Sequence, residues 1–435
     1  MAVSFARAAA FDILLRVERD AAYATELLHS KKIDELSVAD RGLTHEIVMG
    51  VLRWQSSLDT AIAAQASQPL RKLDREVLIA LRIGAYQLRF LDRVPANAAV
   101  NESVELVKRA RKRSAVPFAN AILRKLTKDP QPAPFATIAE NFAHPEWIVE
   151  RWVANYGDTV AEAICRHDQQ IPGTAVRLPF DPVRRKAVEV ELQRSGISLE
   201  PGKLLHAARR VTGGDVRHTA AFERGEVWIQ DEASQLVALL AGGGKKILDC
   251  CAAPGGKTAV LAERNPAAQI VALELHAQRA ALLRQRVQAA NVSVETADVT
   301  TYAPASFDCV LADVPCSGTG TLAHNPEIKW RLQPSDLTEL QQRQVAILRA
   351  ALRQLAPGGR LVYSTCSLEP EESETVVEQV LPSGVELLDL HPELSQIGAE
   401  ISLSHPESLV RGKFLRTLPG IQDCDGFFAA VLRKA

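Results

Sequence analysis

From residue 245 onward, short apolar runs alternate with stretches of helical periodicity, and this alternation restricts the fold more than any other feature of the chain. Alternating strands and helices predict a parallel, doubly wound α/β sheet, because each helix carries the chain back to the same end of the sheet. The apolar runs are KKILDCC, QIVALEL, VSVETAD, FDCVLADV and GGRLVYSTC, and a further strand is expected in DGFFAAVLRKA at the end of the chain.

Residues 5–128 have helical periodicity throughout instead. In ADRGLTHEIVMGVLRW, Leu43, Ile47 and Val51 recur at four-residue spacing, with Asp40 as the expected N-cap. A second apolar face, at spacings of four and three residues, comprises Val77, Leu81, Ala85 and Leu88. The first third of the chain is therefore predicted to be an all-α bundle of several helices.

A chain of 435 residues is too long for one compact core, so we expect several domains. The main boundary is placed in TKDPQPAPFATIAENFAHPEW, where helices are not expected to continue through Pro130, Pro132, Pro134 and Pro145. The predicted domains are a helical domain at 1–130, a mixed α/β connecting subdomain at 145–235 and the doubly wound domain at 236–435.

The charges are distributed unevenly between the two parts of the chain. Residues 1–128 hold 21 Lys and Arg against 14 Asp and Glu, whereas the remainder has an excess of acids. The basic part is suited to a polyanionic partner, and a solvated helical surface would give the same balance. The densest basic cluster is expected on one helix, spread over a wide arc suited to phosphates: Lys108, Arg109, Arg111, Lys112 and Arg113.

Two classes of protein are disfavoured by composition. No apolar stretch has the length of a membrane span, and Arg7 and Asp12 interrupt the apolar start of the chain, so we expect a cytoplasmic protein without a membrane partner. The chain has seven cysteines without a Cys-x-x-Cys pair, so disulfides and a zinc site are poorly supported and no metal is expected.

A glycine-rich turn, CAAPGGKT at 251–258, follows the first strand of the doubly wound pattern. Gly255 and Gly256 allow the backbone to approach a ligand, and the helix that follows favours a negative group. The turn is neither Gly-x-Gly-x-x-Gly nor a Walker loop, which disfavours a nicotinamide-dependent oxidoreductase and an ATP site.

Acidic residues follow the next three strands: Glu274, Asp298 and Asp313. Ligands of such sheets bind at the carboxyl ends of the strands, where an acid commonly holds ribose hydroxyls. Three acids and a glycine turn at successive strand ends predict a cofactor that contains a nucleoside. Each acid taken alone is equally compatible with capping the helix that follows it.

Two thiols follow neighbouring strands in the same way. Cys316 lies in LADVPCSGTG and Cys366 in YSTCS, so both are expected to face one cleft beside Asp313. Metal binding lacks further ligands, and a Cys–His hydrolase lacks a recognisable His–Asn/Asp pair. Addition of a thiolate to carbon 6 of cytosine fits better, because it makes carbon 5 nucleophilic toward a methyl group from a sulfonium cofactor. Asp313 is then expected to contact the N3/N4 edge of the base.

These motifs together resemble the RNA (cytosine-5)-methyltransferases of the Sun/Fmu type, over nearly the whole chain. LDCCAAPGGKT resembles the family's S-adenosylmethionine loop, and DVPCSGTGTLAHNPEIKW and YSTCSLEPEE resemble its two cysteine motifs. WIQDEASQLVALLA and DGFFAA also match the family, and the first third resembles the NusB-type antitermination domain. The resemblance implies a Rossmann-like (class I) methyltransferase domain after a NusB-like RNA-binding domain.

The resemblance also implies roles for individual residues. Cys366 is expected to be the nucleophile, Cys316 to assist release of the adduct, and Asp313, with Lys257, to contact the base. Glu274 departs from the Asp found in many members, although both acids accept from ribose hydroxyls. The expected S-adenosylmethionine ligands are Cys251, Ala252, Ala253, Pro254, Gly255, Gly256, Lys257, Glu274, Asp298 and Asp313.

The implied substrate is one cytosine of 16S rRNA, either naked or in an early small-subunit particle, and a monomeric enzyme is expected. Methylation of a transfer RNA or of another rRNA cytosine is an alternative within the same chemistry. An RNA-binding antitermination or assembly factor with an inactive methyltransferase fold is the alternative from another class.

Overall fold

The computed structural model describes residues 3–128 and 136–435. Its α-helices are α1 (Phe5–Arg19), α2 (Ala24–Leu28), α3 (Lys31–Asp34), α4 (Val38–Arg53), α5 (Gln55–Gln65), α6 (Arg75–Phe90), α7 (Ala96–Arg109), α8 (Val116–Leu126), α9 (Ile138–Asn141), α10 (Glu146–Tyr156), α11 (Asp158–Asp168), α12 (Pro182–Arg194), α13 (Ala220–Glu223), α14 (Glu232–Leu240), α15 (Gly256–Arg264), α16 (Ala277–Arg286), α17 (Ile328–Arg331), α18 (Pro334–Gln354), α19 (Glu374–Val380) and α20 (Leu390–Gln396).

The strands lie in the second half of the chain, apart from four in the connecting region. They are β1 (Thr174–Arg177), β2 (Ser198–Pro201), β3 (Ala208–Gly213), β4 (Trp228–Ile229), β5 (Lys246–Asp249), β6 (Gln269–Glu274), β7 (Val292–Thr296), β8 (Phe307–Asp313), β9 (Leu355–Thr365), β10 (Val385–Leu387), β11 (Val410–Arg411), β12 (Phe414–Arg416) and β13 (Phe428–Lys434).

The chain divides into two compact units. The helical unit contains Met1–Ile171 together with Leu322–Arg331, and the second unit contains Pro172–Thr321 and Leu332–Ala435. This division differs from the boundaries expected at 130, 145 and 236, because α10 and α11 group with the preceding helices. The three-domain division stays a prediction.

The helical unit packs around a core contributed by α1–α8, as the periodicity predicts. Ile47 and Val51 of α4 are buried, and so is Leu81 of α6. The N-cap predicted for α4 is wrong by three residues. Ser37 rather than Asp40 caps the helix, and its hydroxyl accepts from the Asp40 backbone N–H.

The proline-rich boundary is only partly described. Residues 129–135 include Pro130, Pro132 and Pro134 and lie outside the described residues. Helical structure resumes earlier than expected, in α9, because Thr137 and Glu140 form a reciprocal capping box at its N-terminus. Pro145 directly precedes α10, where its missing N–H is tolerated.

The second unit contains two sheets. The smaller sheet is antiparallel, has the order β2-β3-β1-β4 and agrees with the mixed α/β composition predicted for the connecting region. The larger sheet has the order β11-β12-β13-β9-β8-β5-β6-β7, and β10 pairs with β13. Its five strands β5–β9 are mutually parallel, as predicted.

The larger sheet is mixed rather than wholly parallel. β13 runs antiparallel to β9, and β12 runs antiparallel to β13. No α-helix lies between β11 and β12 or between β12 and β13, which makes antiparallel pairing available to these strands. The apolar end of the chain thus extends the sheet beside β9 instead of forming an edge.

In the described parts of the chain, no helix has both the length and the apolar character that crossing a membrane requires.

Candidate active site

Two thiols meet where the neighbouring strands β8 and β9 end. Asp313, the last residue of β8, is in register with Ser364 of β9. Cys316 follows β8 and Cys366 follows β9, and their sulfur atoms lie 3.3 Å apart. Both residues are partly exposed, and Cys366 also packs against the apolar core of the sheet.

A lysine and an aspartate form an ion pair beside these thiols. Lys257 Nζ, at the start of α15, lies 2.8 Å from Asp313 Oδ2, and the Ser364 hydroxyl donates to Asp313 Oδ1 at 2.8 Å. The ammonium also lies 5.0 Å from the centre of the Phe427 ring. The carboxylate is therefore oriented from two sides, and the ammonium is held over an apolar surface.

The Cys366 thiol is neutral in the resting site. The hydrogen bond with Cys316 and burial raise its pKa well above the usual value, and Asp313 acts in the same direction. Lys257 opposes this shift. Burial is the largest influence on the pKa of Lys257 and lowers it, but the attraction and hydrogen bond of Asp313, together with Cys366 and Asp249, raise the pKa overall, so the ammonium stays charged. Ionisation of Cys366 must accompany its reaction.

The loop that carries Cys316 is held by a carboxylate that the sequence analysis did not select. Glu372 is completely buried and accepts hydrogen bonds from the Ser317 backbone N–H at 2.9 Å and from the Ser367 hydroxyl at 2.6 Å. The Ser317 hydroxyl and Gln344 also donate to it. Glu372 thus ties the segments after the two cysteines together. Its only sequence signal was its place in the YSTCSLEPEE motif.

The glycine turn connects β5 to α15, as predicted. Gly255 has φ of 109°, a left-handed conformation that favours glycine. A Cβ atom there would lie 2.7 Å from a Leu283 methyl carbon and 2.8 Å from one of Val287, so a larger residue would clash. The peptide bond between Ala253 and Pro254 is cis.

The acids at the ends of the outer strands have local backbone partners. Glu274 is buried, and its Oε1 accepts from the His276 backbone N–H at 2.9 Å. Asp298 Oδ1 accepts from both the backbone N–H and the hydroxyl of Thr300, each at 2.8 Å. Both acids therefore act as turn caps, and each retains a second carboxylate oxygen. Their role as cofactor ligands stays a prediction.

Two further polar groups near the turn were not selected from the sequence. Asp249 ends β5 and is buried; Thr258 donates to its Oδ2 at 2.7 Å, whereas its Oδ1 has no hydrogen-bond partner among the described residues. Burial raises the pKa of Asp249 to about 7. Gln230, which lies against Gly256, likewise has an unpartnered Oε1. A glycine cradle lined by unsatisfied acceptors fits a polar nucleoside ligand.

Four of the remaining five cysteines are buried. Cys165, Cys250, Cys309 and Cys424 are buried, and burial raises the pKa of each thiol. Cys251 in the glycine turn is partly exposed, and burial raises its pKa as well. Within residues 3–128 and 136–435, no group of three or more His, Cys, Asp and Glu side chains is arranged to hold a metal ion.

The basic cluster of the helical unit does not lie on a single helix, contrary to the prediction. α7 ends at Arg109, and Arg111 has φ of 60°, which breaks the helix inside the cluster. Lys108, Arg109 and Lys112 form ion pairs with acids of the same unit. Arg111 and Arg113 are exposed and have no ion pair within the described residues, which leaves them available to phosphates.

Three family models match consecutive parts of the chain. Residues 4–128 match the NusB family. Residues 144–215 match a ferredoxin-like domain of RsmF/B-like methyltransferases, and residues 237–433 match the family described as 16S rRNA methyltransferase RsmB/F. The last match contains the glycine turn, both partly exposed thiols and the Lys257–Asp313 pair.

Two curated relatives are similar over almost their whole length. The probable ribosomal RNA small subunit methyltransferase B of Bacillus subtilis is 33% identical, over 98% of both chains. The ribosomal RNA small subunit methyltransferase B of Xanthomonas campestris is also 33% identical, over 91% of this chain and 89% of its own.

Solved structures agree with this fold. The crystal structure of PH0851 has a TM-score of 0.82 at 24% identity and covers 98% of this chain and 97% of its own. A methyltransferase homologue from Pyrococcus horikoshii has a TM-score of 0.55 at 26% identity, over 68% of this chain and 98% of its own.

Proposed function

The chain belongs to the ribosomal RNA small subunit methyltransferase B family, and we propose that it methylates carbon 5 of one cytosine in 16S rRNA through a covalent cysteine adduct. Members of this family are methyltransferases, and the methyl donor is S-adenosylmethionine. The observation that carries the proposal is the 3.3 Å separation of the sulfurs of Cys316 and Cys366, beside the Lys257–Asp313 pair.

The need for a thiol follows from the chemistry of the base. Carbon 5 of cytosine is a weak nucleophile in the aromatic ring. When the sulfur of Cys366 bonds to carbon 6, the thiol loses its proton, N3 of the base gains one, and carbon 5 becomes the nucleophilic end of an enamine. Bound S-adenosylmethionine supplies an electrophilic methyl group to that carbon. Cys366 is the proposed nucleophile because YSTCSLEPEE resembles the family's second cysteine motif, which implies that role.

The Lys257–Asp313 pair is suited to hold the base during addition. The Asp313 carboxylate is an acceptor for the exocyclic N4 amino group and for a protonated N3. The ammonium of Lys257 stabilises the negative charge that develops on the ring as the sulfur adds to carbon 6. The same ammonium lowers the pKa of Cys366 against the opposing groups. We assign binding and orientation of the cytosine edge to these two residues.

Cys316 is proposed to assist the breakdown of the adduct. Release requires that the carbon 5 proton leaves and that the bond between carbon 6 and the Cys366 sulfur breaks. A second sulfur at 3.3 Å lies beside the bond that must break. The proposed cofactor ligands are the turn Cys251–Lys257 with Glu274, Asp298 and Asp313, to which we add Asp249.

The basic helical unit is proposed to bind rRNA through its phosphates. A cytosine in structured RNA must leave its stack to reach the thiols, at a cost of about a few kcal/mol. Phosphate contacts from exposed residues such as Arg111 and Arg113 offset that cost without reading sequence.

The test is transfer of tritiated methyl groups from S-adenosylmethionine to naked 16S rRNA, to small-subunit particles and to transfer RNA, each prepared without this methylation. We expect label in one of the two 16S preparations, at one cytosine, as 5-methylcytosine after nuclease digestion. The Cys366→Ala variant is the matched control. Label confined to transfer RNA, or found at another atom of the base, would overturn the proposal.

A further inference from the structure

A ten-residue part of the methyltransferase sequence is folded into the helical unit. Leu322–Arg331, called here the docking segment, follows the Cys316 loop directly, and the chain then enters the second unit again at Leu332. The segment contains α17 and includes the sequence NPEIKWR. Its contacts within the helical unit show what holds it there.

The docking segment satisfies the carbonyl groups at the end of α4. The Trp330 indole Nε1 donates to the Leu52 carbonyl at 2.6 Å, and Lys329 Nζ donates to the Arg53 carbonyl at 3.0 Å. The Arg53 guanidinium in turn donates to the Ala323 carbonyl at 3.1 Å. The last carbonyls of a helix lack partners within it, so these bonds join the segment to α4 in one register.

The segment also contacts the ends of two other helices. Glu327 Oε1 accepts from the backbone N–H of Ala24, the first residue of α2, at 2.8 Å. Arg331 donates to the carbonyl of Val17 near the end of α1 at 3.0 Å and to that of Ala21 at 2.8 Å. The segment is therefore fixed by directional bonds to three helices rather than by apolar contact alone.

The polar groups of this contact are buried, and removing them from water costs free energy that apolar residues would not cost. Lys329 and Glu327 are each 1% exposed, and Arg53 is 4% exposed. Burial lowers the pKa of Lys329 to about 7, and the carboxylate of Asp168 opposes that shift. Buried polar groups of this kind define geometry better than they add stability. Their role here is therefore one of position.

The other end of the same stretch of chain touches the reactive cysteine. The Gly320 backbone N–H donates to the Cys366 carbonyl at 2.9 Å, and the Gly320 carbonyl accepts from Gly426 at 2.8 Å. A Cβ atom at Gly320 would lie 2.1 Å from the Gly426 carbonyl oxygen, so the backbones approach closely. Thr321 and Leu322 alone separate Gly320 from Ala323, where the Arg53 contact begins.

We propose that Lys329 and Trp330 are positioning residues, which hold the loop of Cys316 at its working distance from Cys366 by fixing the docking segment to α4. The inference rests on the proposed function, since both sulfurs react there. Cys366 comes directly after β9, whereas Cys316 lies three residues beyond β8, in the loop that leads into the docking segment. Loosening the segment therefore displaces Cys316, and adduct release slows more than adduct formation.

The test uses the full-length variants Lys329→Met and Trp330→Phe, each of which removes one hydrogen bond and keeps most of the side-chain volume. Single-turnover methyl transfer to 16S rRNA is expected to stay within about twofold of wild type, while steady-state turnover falls about tenfold. A covalent protein–RNA complex should accumulate on a denaturing gel. Affinity for S-adenosylmethionine is expected to be unchanged.

The matched control is Val104→Ala, which removes two methyl groups from the buried core of the same helical unit. It should lower the melting temperature, because it leaves a cavity in the core, and turn over normally. The positioning role is rejected if Val104→Ala accumulates the complex to the same extent, or if the docking-segment variants lose single-turnover and steady-state rates equally. Failure of the wild-type enzyme to transfer methyl to 16S rRNA would instead overturn the proposed function.

Discussion

The sulfur atoms of Cys316 and Cys366 lie 3.3 Å apart, although 50 positions separate the two residues in the chain. The pairing of β8 with β9 brings them together, and buried Glu372 ties the two loops that carry them. Cys366 lies one residue after β9, and Cys316 lies three residues after β8 in the loop that leads to Leu322–Arg331. We propose that the first sulfur forms the bond to the base and that the second assists its release.

The first prediction concerns the nucleophile. Cys366→Ala should abolish methyl transfer, by at least about a thousandfold, since the bond to carbon 6 is assigned to Cys366 and the neighbouring Cys316 to release. It should also abolish the adduct trapped by RNA that contains 5-fluorocytosine. Cys424→Ala, which removes a buried thiol of the same unit, is the control and should retain both activities. A trapped adduct in the Cys366→Ala variant would disprove the assignment.

The second prediction concerns release. Cys316→Ala should still form the bond to carbon 6 and transfer one methyl group, because Cys366 and the ion pair are intact. The complex should then persist and appear as a slow band on a denaturing gel, with turnover reduced about a hundredfold or more. Normal turnover by this variant would show that the second sulfur has no part in release.

The third prediction follows from the charges around the nucleophile. Asp313 raises the pKa of Cys366 and Lys257 lowers it, so Lys257→Met should move the rising limb of the pH–rate profile to higher pH. Single-turnover rates measured between pH 6 and about 10 test this shift. Substitution Lys257→Arg, which keeps the charge, should shift the limb less. If the rising limb of the pH–rate profile is unchanged in Lys257→Met, the limb reflects the ionisation of a group other than Cys366.

The fourth prediction concerns Asp249, whose pKa burial raises from 3.8 to about 7. A carboxyl with a raised pKa stabilises the fold fully below its unfolded value and loses that contribution as the pH rises through 7. Asp249→Asn should therefore raise the melting temperature at pH 8 and change it little at pH 4. The corresponding gain in the free energy of unfolding at pH 8 has an upper limit of about 4 kcal/mol. The same variant should weaken binding of S-adenosylmethionine if Oδ1 is a ligand. Equal stabilisation at both pH values would contradict the shift.

The fifth prediction tests the RNA surface. The double variant Arg111→Glu, Arg113→Glu should weaken binding to 16S rRNA. The negative slope of log affinity against log salt concentration should become smaller in magnitude by about two. S-adenosylmethionine binding should be unaffected. Arg19→Glu, a charge reversal at a residue paired with Asp20, is the control and should alter the slope much less. An identical slope in the double variant and the control would place the phosphate contacts elsewhere.

Local patterns were sufficient for much of the architecture. Apolar periodicity of 3.6 or 2 residues is a property of consecutive residues, so the helices of the first third and the parallel strands β5–β9 were predictable. The position of Cys366 at the end of an apolar run likewise indicated an exposed strand end. The antiparallel placement of β13 beside β9 was not predictable, because pairing direction depends on the path of the connections.

Two predictions were wrong because the features concerned depend on individual hydrogen bonds or on the backbone conformation of single residues. The N-cap of α4 is Ser37 and not the predicted Asp40, because capping depends on one hydrogen bond rather than on residue type. The basic cluster divided because Arg111 adopts a left-handed conformation after α7.

The sequence by itself determined which residues are proposed to carry the chemistry, since thiols, acids and glycines at strand ends can be read from residue type and local period. Only the tertiary structure decided how they act together: the 3.3 Å contact of the sulfurs, the buried Glu372 network and the attachment of Leu322–Arg331 to α4. Such contacts join residues far apart in the chain, and their geometry depends on strand register and side-chain packing, which no local pattern encodes.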